Sequence, residues 1–347
     1  MLSRTSRSLR SIAQSVLFRS FRINLEKKLR GSIDDLLANP QICASIRSLE
    51  VFALRIMAET NEETLSHVKK LFPKMVRLRT VGIYNARLSK EFIDAFLETA
   101  ANIPLRVFLY QNTYPSCLGA GPNTPLRISH LKLTSSATST SLDFYRLVLR
   151  ASATTLTELI VRDPANELME LADIDLPFLH SLILPVGPRT EGSRTEVAAF
   201  ITAKRTIRKF ELHSSASLPY LPPSVLPALR ELIAPIKVVN KLVPGRPVEV
   251  IEVNDLYRPS GQDWIVEDFA RSTARVQTLR IHHFELFPWM VRQIGAILPS
   301  LETLWLCVAD NVRGLFAPCL DSFSFRYSLR SSKFSLHSSA SCTYALV

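Results

Sequence analysis

No stretch of this chain approaches the roughly 18 apolar residues that a helix needs to cross a bilayer, so nothing in it reads as a membrane span. Cysteine is sparse. Cys43, Cys117, Cys307, Cys319 and Cys342 are odd in number, widely spaced and form no C-x-x-C pair. That usage argues against a disulfide framework or a zinc site and reads as reduced thiols in a cytosolic or nuclear protein. Catalytic signatures are missing as well: there is no Walker-type G-K-[ST], no H-E-x-x-H and no G-x-S-x-G. Gly119-Ala120-Gly121 runs into Pro122 and lacks the third glycine of a dinucleotide loop. His282 and His283 are adjacent, and neighbours on a strand point to opposite faces, so they do not share one metal. Asp173 and Asp175 precede Leu176-Pro177 and read as loop carboxylates rather than an acid–base pair. The expectation is a chain with no catalytic residue, no cofactor and no metal-ligand set.

Negative charge is lacking at the two ends. The formal net charge is +11, yet residues 1–30 carry eight basic side chains against Glu26 alone, and residues 312–347 carry four against Asp321 alone. The stretch between is almost neutral. A nucleic-acid groove places its basic excess on the binding face, so this distribution argues against that partner.

What the chain does have is a six-residue pattern, apolar-x-x-apolar-x-apolar, starting at Ile46, Leu78, Leu105, Ile128, Leu156, Leu179, Ile207, Leu229, Val248, Val276, Leu301 and Leu320. The fourth and sixth residues of each copy lie two apart and share one face of a strand. The fourth column runs from Leu49, Val81 and Phe108 to Leu304 and Phe323, the sixth from Val51 to Phe325, and neither contains a charge. The second column is polar throughout, from Arg47 and Arg79 to Glu302 and Asp321. Starts recur about every 25 residues, within the 20–29 residue period of leucine-rich repeats.

Between the copies lie segments of helical period. Asn61-Glu62-Glu63-Thr64 opens a stripe of Leu65, Val68, Leu71 and Phe72, and Ser89 caps one of Phe92, Ile93, Phe96 and Leu97. Further stripes are Leu142, Tyr145 and Leu149; Val197, Phe200 and Ile201; Trp264, Ile265 and Phe269. Prolines such as Pro104, Pro125, Pro177 and Pro299 fall just ahead of repeat starts, where they end a helix and favour extended backbone. Strand and helix alternate. The expected fold is an α/β leucine-rich-repeat solenoid, with a curved parallel sheet on the concave side and helices on the convex side.

Met1 to Phe21 holds Arg4, Arg7, Arg10 and Arg19, many serines and no acid, a composition that matches a mitochondrial transit peptide. The run Ser6-Arg7-Ser8-Leu9-Arg10-Ser11-Ile12-Ala13-Gln14-Ser15-Val16-Leu17-Phe18-Arg19 also resembles the final helix of an F-box. Phe21-Arg22-Ile23, the segment around Asp34-Leu36-Leu37, and Ile46-Arg47-Ser48-Leu49-Glu50-Val51 then look like the passage from F-box to first repeat in fungal F-box/leucine-rich-repeat proteins. Phe72-Pro73-Lys74-Met75 and Leu298-Pro299-Ser300-Leu301-Glu302-Thr303-Leu304 are similar to that family's repeats. The Leu-Pro-x-x-Leu/Ile opening of an F-box is absent, so the resemblance implies an F-box truncated at its amino terminus, residues 1–35, ahead of a solenoid over 36–326. It also implies a substrate-binding part of a ubiquitin-ligase adaptor, with Leu9, Ile12, Ala13, Val16 and Leu17 toward the adaptor subunit. A scaffold with no ligase link and an organelle-imported protein are the alternatives.

The ninth repeat position, commonly asparagine or cysteine bonding the turn, is here Leu54, Ala86, Thr113, Ser136, Pro164 and similar residues, which predicts an irregular solenoid. Residues 327–347 are serine-rich without apolar periodicity and are expected to be disordered.

Strand phase places the fifth and seventh positions on the concave surface. From these columns the expected contacts to a protein partner are Tyr84, Leu109, Gln111, Lys132, Ile160, Arg162, Ile183, Glu211, Ile233, Glu252, Arg280, His282 and Trp305, a set of apolar anchors ringed by charge.

Overall fold

The computed structural model describes residues 16–26, 30–53, 62–110, 112, 114, 124–134, 139–162, 171–185, 191–213, 218–254, 267–284, 288–308 and 323–328. They group into two compact units that divide between Leu179 and His180.

The first unit contains β1 (Ser20–Asn24), β2 (Ser48–Phe52), β3 (Thr80–Tyr84), β4 (Leu105–Tyr110), β5 (Ile128–Thr134) and β6 (Glu158–Arg162). From β2 on, each pairs in parallel with the strand before it in sequence. The register aligns Leu49 with Val81 and Val51 with Ile83, so the apolar columns stack from strand to strand. Among the described residues the first strand of the sheet starts at Ser20, ahead of residue 36, where the repeat count places the start of the solenoid. The return segments include α1 (Arg30–Leu37), α2 (Pro40–Ser45), α3 (Glu62–Leu71), α4 (Lys90–Asn102) and α5 (Ser139–Ser152). Leu65, Val68 and Leu71 of α3 and Phe92, Ile93 and Phe96 of α4 are buried, as their spacing predicts. Ser89 caps α4, its Oγ accepting from the Phe92 N–H at 3.3 Å. Thr134 on β5 is tied to α5 by the Tyr145 hydroxyl, which donates to its carbonyl at 3.0 Å. Cys43 is buried, and its thiol donates to the Leu36 carbonyl at 3.0 Å; burial raises its pKa.

One repeat of this unit departs from the expected register. In β4 the inward residues are Val107 and Leu109, which align with Val81 and Ile83, whereas Phe108 and Tyr110 face the open side. Leu105 is buried like every other repeat start among the described residues, so this copy is one residue short between its start and its first inward strand residue. The shortage appears as a shift in the β4–β5 pairing between Leu105 and Arg106. Leu109 is therefore a core residue, 1% exposed, with its side chain directed inward rather than displayed on the open face.

The second unit contains β7 (Ser181–Leu184), β8 (Lys209–Leu212), β9 (Glu231–Ala234), β10 (Val250–Val253), β11 (Thr278–Phe284) and β12 (Thr303–Val308), in parallel sequential order. Leu182, Phe210, Leu232, Ile251, Leu279 and Leu304 fill one inward column. The final strand, β13 (Phe323–Ser328), runs antiparallel to β12, with Phe325 opposite Leu306. The twelfth copy thus lies in the sheet in the reverse direction. Tyr327 and Ser328 belong to this strand; the rest of the serine-rich tail lies outside the described residues. Helices α6 (Glu191–Ala203), α7 (Ile236–Leu242), α8 (Glu267–Ala270) and α9 (Pro288–Ile297) return the chain, with Phe200, Ile201, Val239 and Phe269 in the core. Among the described residues no helix intervenes between β8 and β9. There residues 218–230 form turns that bury Leu218, Leu221, Val225 and Leu226.

A buried arginine holds those turns. Arg246 is 0% exposed, and its guanidinium donates to the carbonyls of Val225, Leu221, Pro222 and Leu242 at 2.8–2.9 Å. A buried cation is tolerated only when its donors are satisfied, and here carbonyl oxygens do so. Burial lowers the Arg246 pKa from its usual value.

Consecutive parallel strands, two inward apolar residues per strand and a helix or turn covering that face define a leucine-rich-repeat solenoid in each unit.

Candidate functional site

In each unit the face of the strands away from the helices is built from the fifth and seventh positions of the repeats, and in the shortened third copy from the fourth and sixth. In the first unit it carries Tyr84, Phe108, Tyr110, Lys132 and Ile160, all half-buried, and the exposed Arg162. Successive strands bring the two tyrosines side by side, with ring centroids 6.3 Å apart and planes inclined at 43°. The Arg162 guanidinium carbon lies 5.9 Å from the Tyr110 ring centroid, within cation–π range. Gly82 makes room for this arrangement, since a Cβ there would stand 2.6 Å from Cε2 of Tyr84. A depression of about 310 Å³ opens among Tyr84, Asn85, Phe108, Tyr110, Lys132 and Arg162. A neighbouring one, about 460 Å³, is bounded by Arg22, Glu50, Phe52 and Tyr84. Arg22 and Glu50 form an ion pair at 2.6 Å across β1 and β2. Burial, reinforced by Glu50, raises the Tyr84 pKa, so the phenol stays protonated at neutral pH.

The open face of the second unit is a polar network. Glu252 accepts from Arg280 at 3.0 Å and His282 at 2.9 Å, and these bonds hold its carboxyl pKa down at about 2 against the desolvation that opposes them. The His282 ring meets Trp305 edge to face at 4.7 Å. Glu211 pairs with His213 at 2.6 Å and raises that histidine's pKa. The other ring nitrogen of His213 lies 3.2 Å from the side-chain amide of Asn254, which also donates to the Leu212 carbonyl at 3.1 Å. Ile183 and Trp305 are half-buried beside this network.

Of the residues expected on the binding surface, Tyr84, Lys132, Ile160 and Arg162 come together in the first unit. Ile183, Glu211, Glu252, Arg280, His282 and Trp305 lie on the open face of the second. Ile233 is 7% exposed rather than displayed. Its register neighbours are Glu211 and Glu252, whose long side chains and paired histidines flank it on both sides. Gln111 lies outside the described residues. Phe108 and Tyr110 are the surface residues that repeat counting missed. The strict alternation of Leu105, Val107 and Leu109 is the signal for them. Among the described residues no three His, Cys, Asp or Glu side chains converge on a metal position, and no helix is long and apolar enough to cross a membrane.

No protein-family model matches the chain, and no curated protein does. Among solved structures it is similar to the leucine-rich repeat-containing protein LegL7 from Legionella pneumophila, at 14% identity over 83% of each chain, with a TM-score of 0.45. It is also similar to TLR13 in its complex with ssRNA13, at 12% identity over 78% of this chain and 57% of that one, with a TM-score of 0.22.

Proposed function

We propose that the chain is a noncatalytic recognition module that holds a protein partner on the open face of its strands. The observation that carries this reading is the clustering of Tyr84, Phe108 and Tyr110 with Lys132 and Arg162 on β3 to β6. Aromatic side chains and arginine are the usual anchors of protein interfaces, because they offer large contact area at little entropic cost. The resemblance of residues 6–19 to the last F-box helix supports a finer reading, the substrate-binding part of a ubiquitin-ligase adaptor acting by proximity. In that reading Val16 and Leu17, 68% and 70% exposed, face the adaptor subunit; Leu9, Ile12 and Ala13 lie outside the described residues.

Three baits test both levels: the intact chain, a Phe108→Ala plus Tyr110→Ala variant, and a chain lacking residues 1–19. The double variant is expected to lose its captured proteins while keeping its circular dichroism spectrum, and the deletion to lose ligase subunits alone. A folded double variant that retains every partner overturns the recognition surface. Capture of no ligase subunit by the intact chain removes the adaptor reading and leaves a plain scaffold.

A further inference from the structure

The geometry points to an extended acidic peptide segment, with carboxylates at alternate residues, as the occupant of the depression on β3 to β6. This rests on the recognition role proposed above and specifies the chemistry of the partner. Several acids and cations on the open faces are matched: Arg22 with Glu50, His213 with Glu211, Arg280 and His282 with Glu252. Lys132 and Arg162 differ. Among the described residues neither has a carboxylate within ion-pair distance, and Arg162 is held against the Tyr110 ring, which orients the guanidinium without neutralising it.

The spacing suits such a segment. Lys132 and Thr134 of β5 stand in register with Ile160 and Arg162 of β6. The two cations are thus one strand and two residues apart, about 8 Å between their Cα atoms for ordinary sheet geometry. Carboxylates at alternate positions of an extended peptide project from one side about 6.7 Å apart, which the flexible Lys132 and Arg162 side chains accommodate. Tyr84, Phe108 and Tyr110 then pack against the peptide main chain and the aliphatic stems of the side chains on that same side. A single-stranded nucleic acid fits less well. The two tyrosine rings are inclined at 43° and offer no parallel slot for a base, two cations do not track a phosphate backbone, and Glu50 borders Tyr84 on the far side.

Fluorescence anisotropy of the full chain tests the inference, using a labelled peptide of repeated Tyr-Glu-Gly-Glu units, its Tyr-Gln-Gly-Gln counterpart and labelled oligothymidylate. The acidic peptide is expected to bind at least about tenfold tighter than its neutral counterpart, with an affinity that falls as salt rises. Lys132→Gln plus Arg162→Gln, both at solvent-reached positions, is expected to remove that preference without changing the melting temperature. Equal binding of the two peptides, no saturable binding of the acidic one at millimolar concentration, an unchanged preference in the charge variant, or tighter binding of oligothymidylate overturns it. If the charge variant keeps every captured partner while the Phe108/Tyr110 variant loses them, the recognition surface stands and the acidic chemistry falls.

Discussion

Asn112 donates its side-chain amide to the carbonyl of Ile83, one strand earlier, at 2.8 Å, and its Oδ1 accepts from the Ala86 N–H at 3.0 Å. One fully buried side chain after β4 thus satisfies one main-chain group at the end of β3 and one just after it. Leaving a buried polar group unpaired costs about 1–3 kcal/mol, so Asn112→Ala is expected to destabilise the first unit by about 2–4 kcal/mol in urea denaturation. Asn112→Asp keeps the acceptor but sets a carboxylate against the Ile83 carbonyl, and is expected to be at least as damaging. An unchanged midpoint for both variants would show that these bonds add nothing.

The one-residue shortage in the third repeat has a direct mutational signature. Leu109→Ser removes a buried side chain contributing roughly 1.5–3 kcal/mol and should lower the melting temperature clearly, whereas Phe108→Ser beside it should change it little. The opposite order would restore the register in which Phe108 and Tyr110 point inward.

Gly82→Ala acts on the surface rather than the core. The new Cβ would meet the far end of the Tyr84 ring, at 2.6 Å from Cε2 and 2.8 Å from the hydroxyl, so the ring must swing away while the strand stays in place. The expected result is weakened partner binding at nearly unchanged stability, read by anisotropy and thermal melting. A loss of stability without a loss of binding would contradict it.

Two groups on the second unit's open face tie its stability to pH in opposite directions. Glu252, its pKa depressed to about 2, contributes fully above the ordinary value of 4.5 and loses that contribution as pH falls toward 2. His213, its pKa raised above the ordinary 6.5, contributes fully below that value and loses the contribution as pH rises through its folded pKa. Melting temperatures across the acid and neutral ranges should therefore show an acid limb reduced by Glu252→Gln and a neutral limb reduced by His213→Gln. Limbs that both variants leave unaltered would refute the assignment.

Much of the fold was legible because strand alternation and helix period are read directly from apolar spacing: the columns of Leu182 and Leu184, the α3 stripe and the Ser89 cap all lie where the sequence puts them. The third repeat was not, because Phe108-x-Tyr110 satisfies an apolar alternation as well as Val107-x-Leu109 does. The same ambiguity hid the turn asparagine, since counting from Leu105 lands on Thr113 instead of Asn112. Strand direction is equally silent, as the pattern of Phe323 and Phe325 reads alike in either sense. Arg246 escaped for a different reason. Arginine is counted as a surface residue, and nothing local announces that four carbonyls from two segments will converge on it. For the candidate site, sequence phase supplied Tyr84, Lys132 and Arg162, but the burial of Ile233 depends on side chains from neighbouring strands.

Strand order has a consequence for how the chain is made. In the first unit every strand from β2 to β6 pairs with the one synthesised just before it. No strand there waits for a distant segment to emerge from the ribosome, so each new repeat can add to an edge already present. Docking can thus keep pace with translation, and the aromatic surface on β3 to β6 can be complete before the second unit has left the exit tunnel.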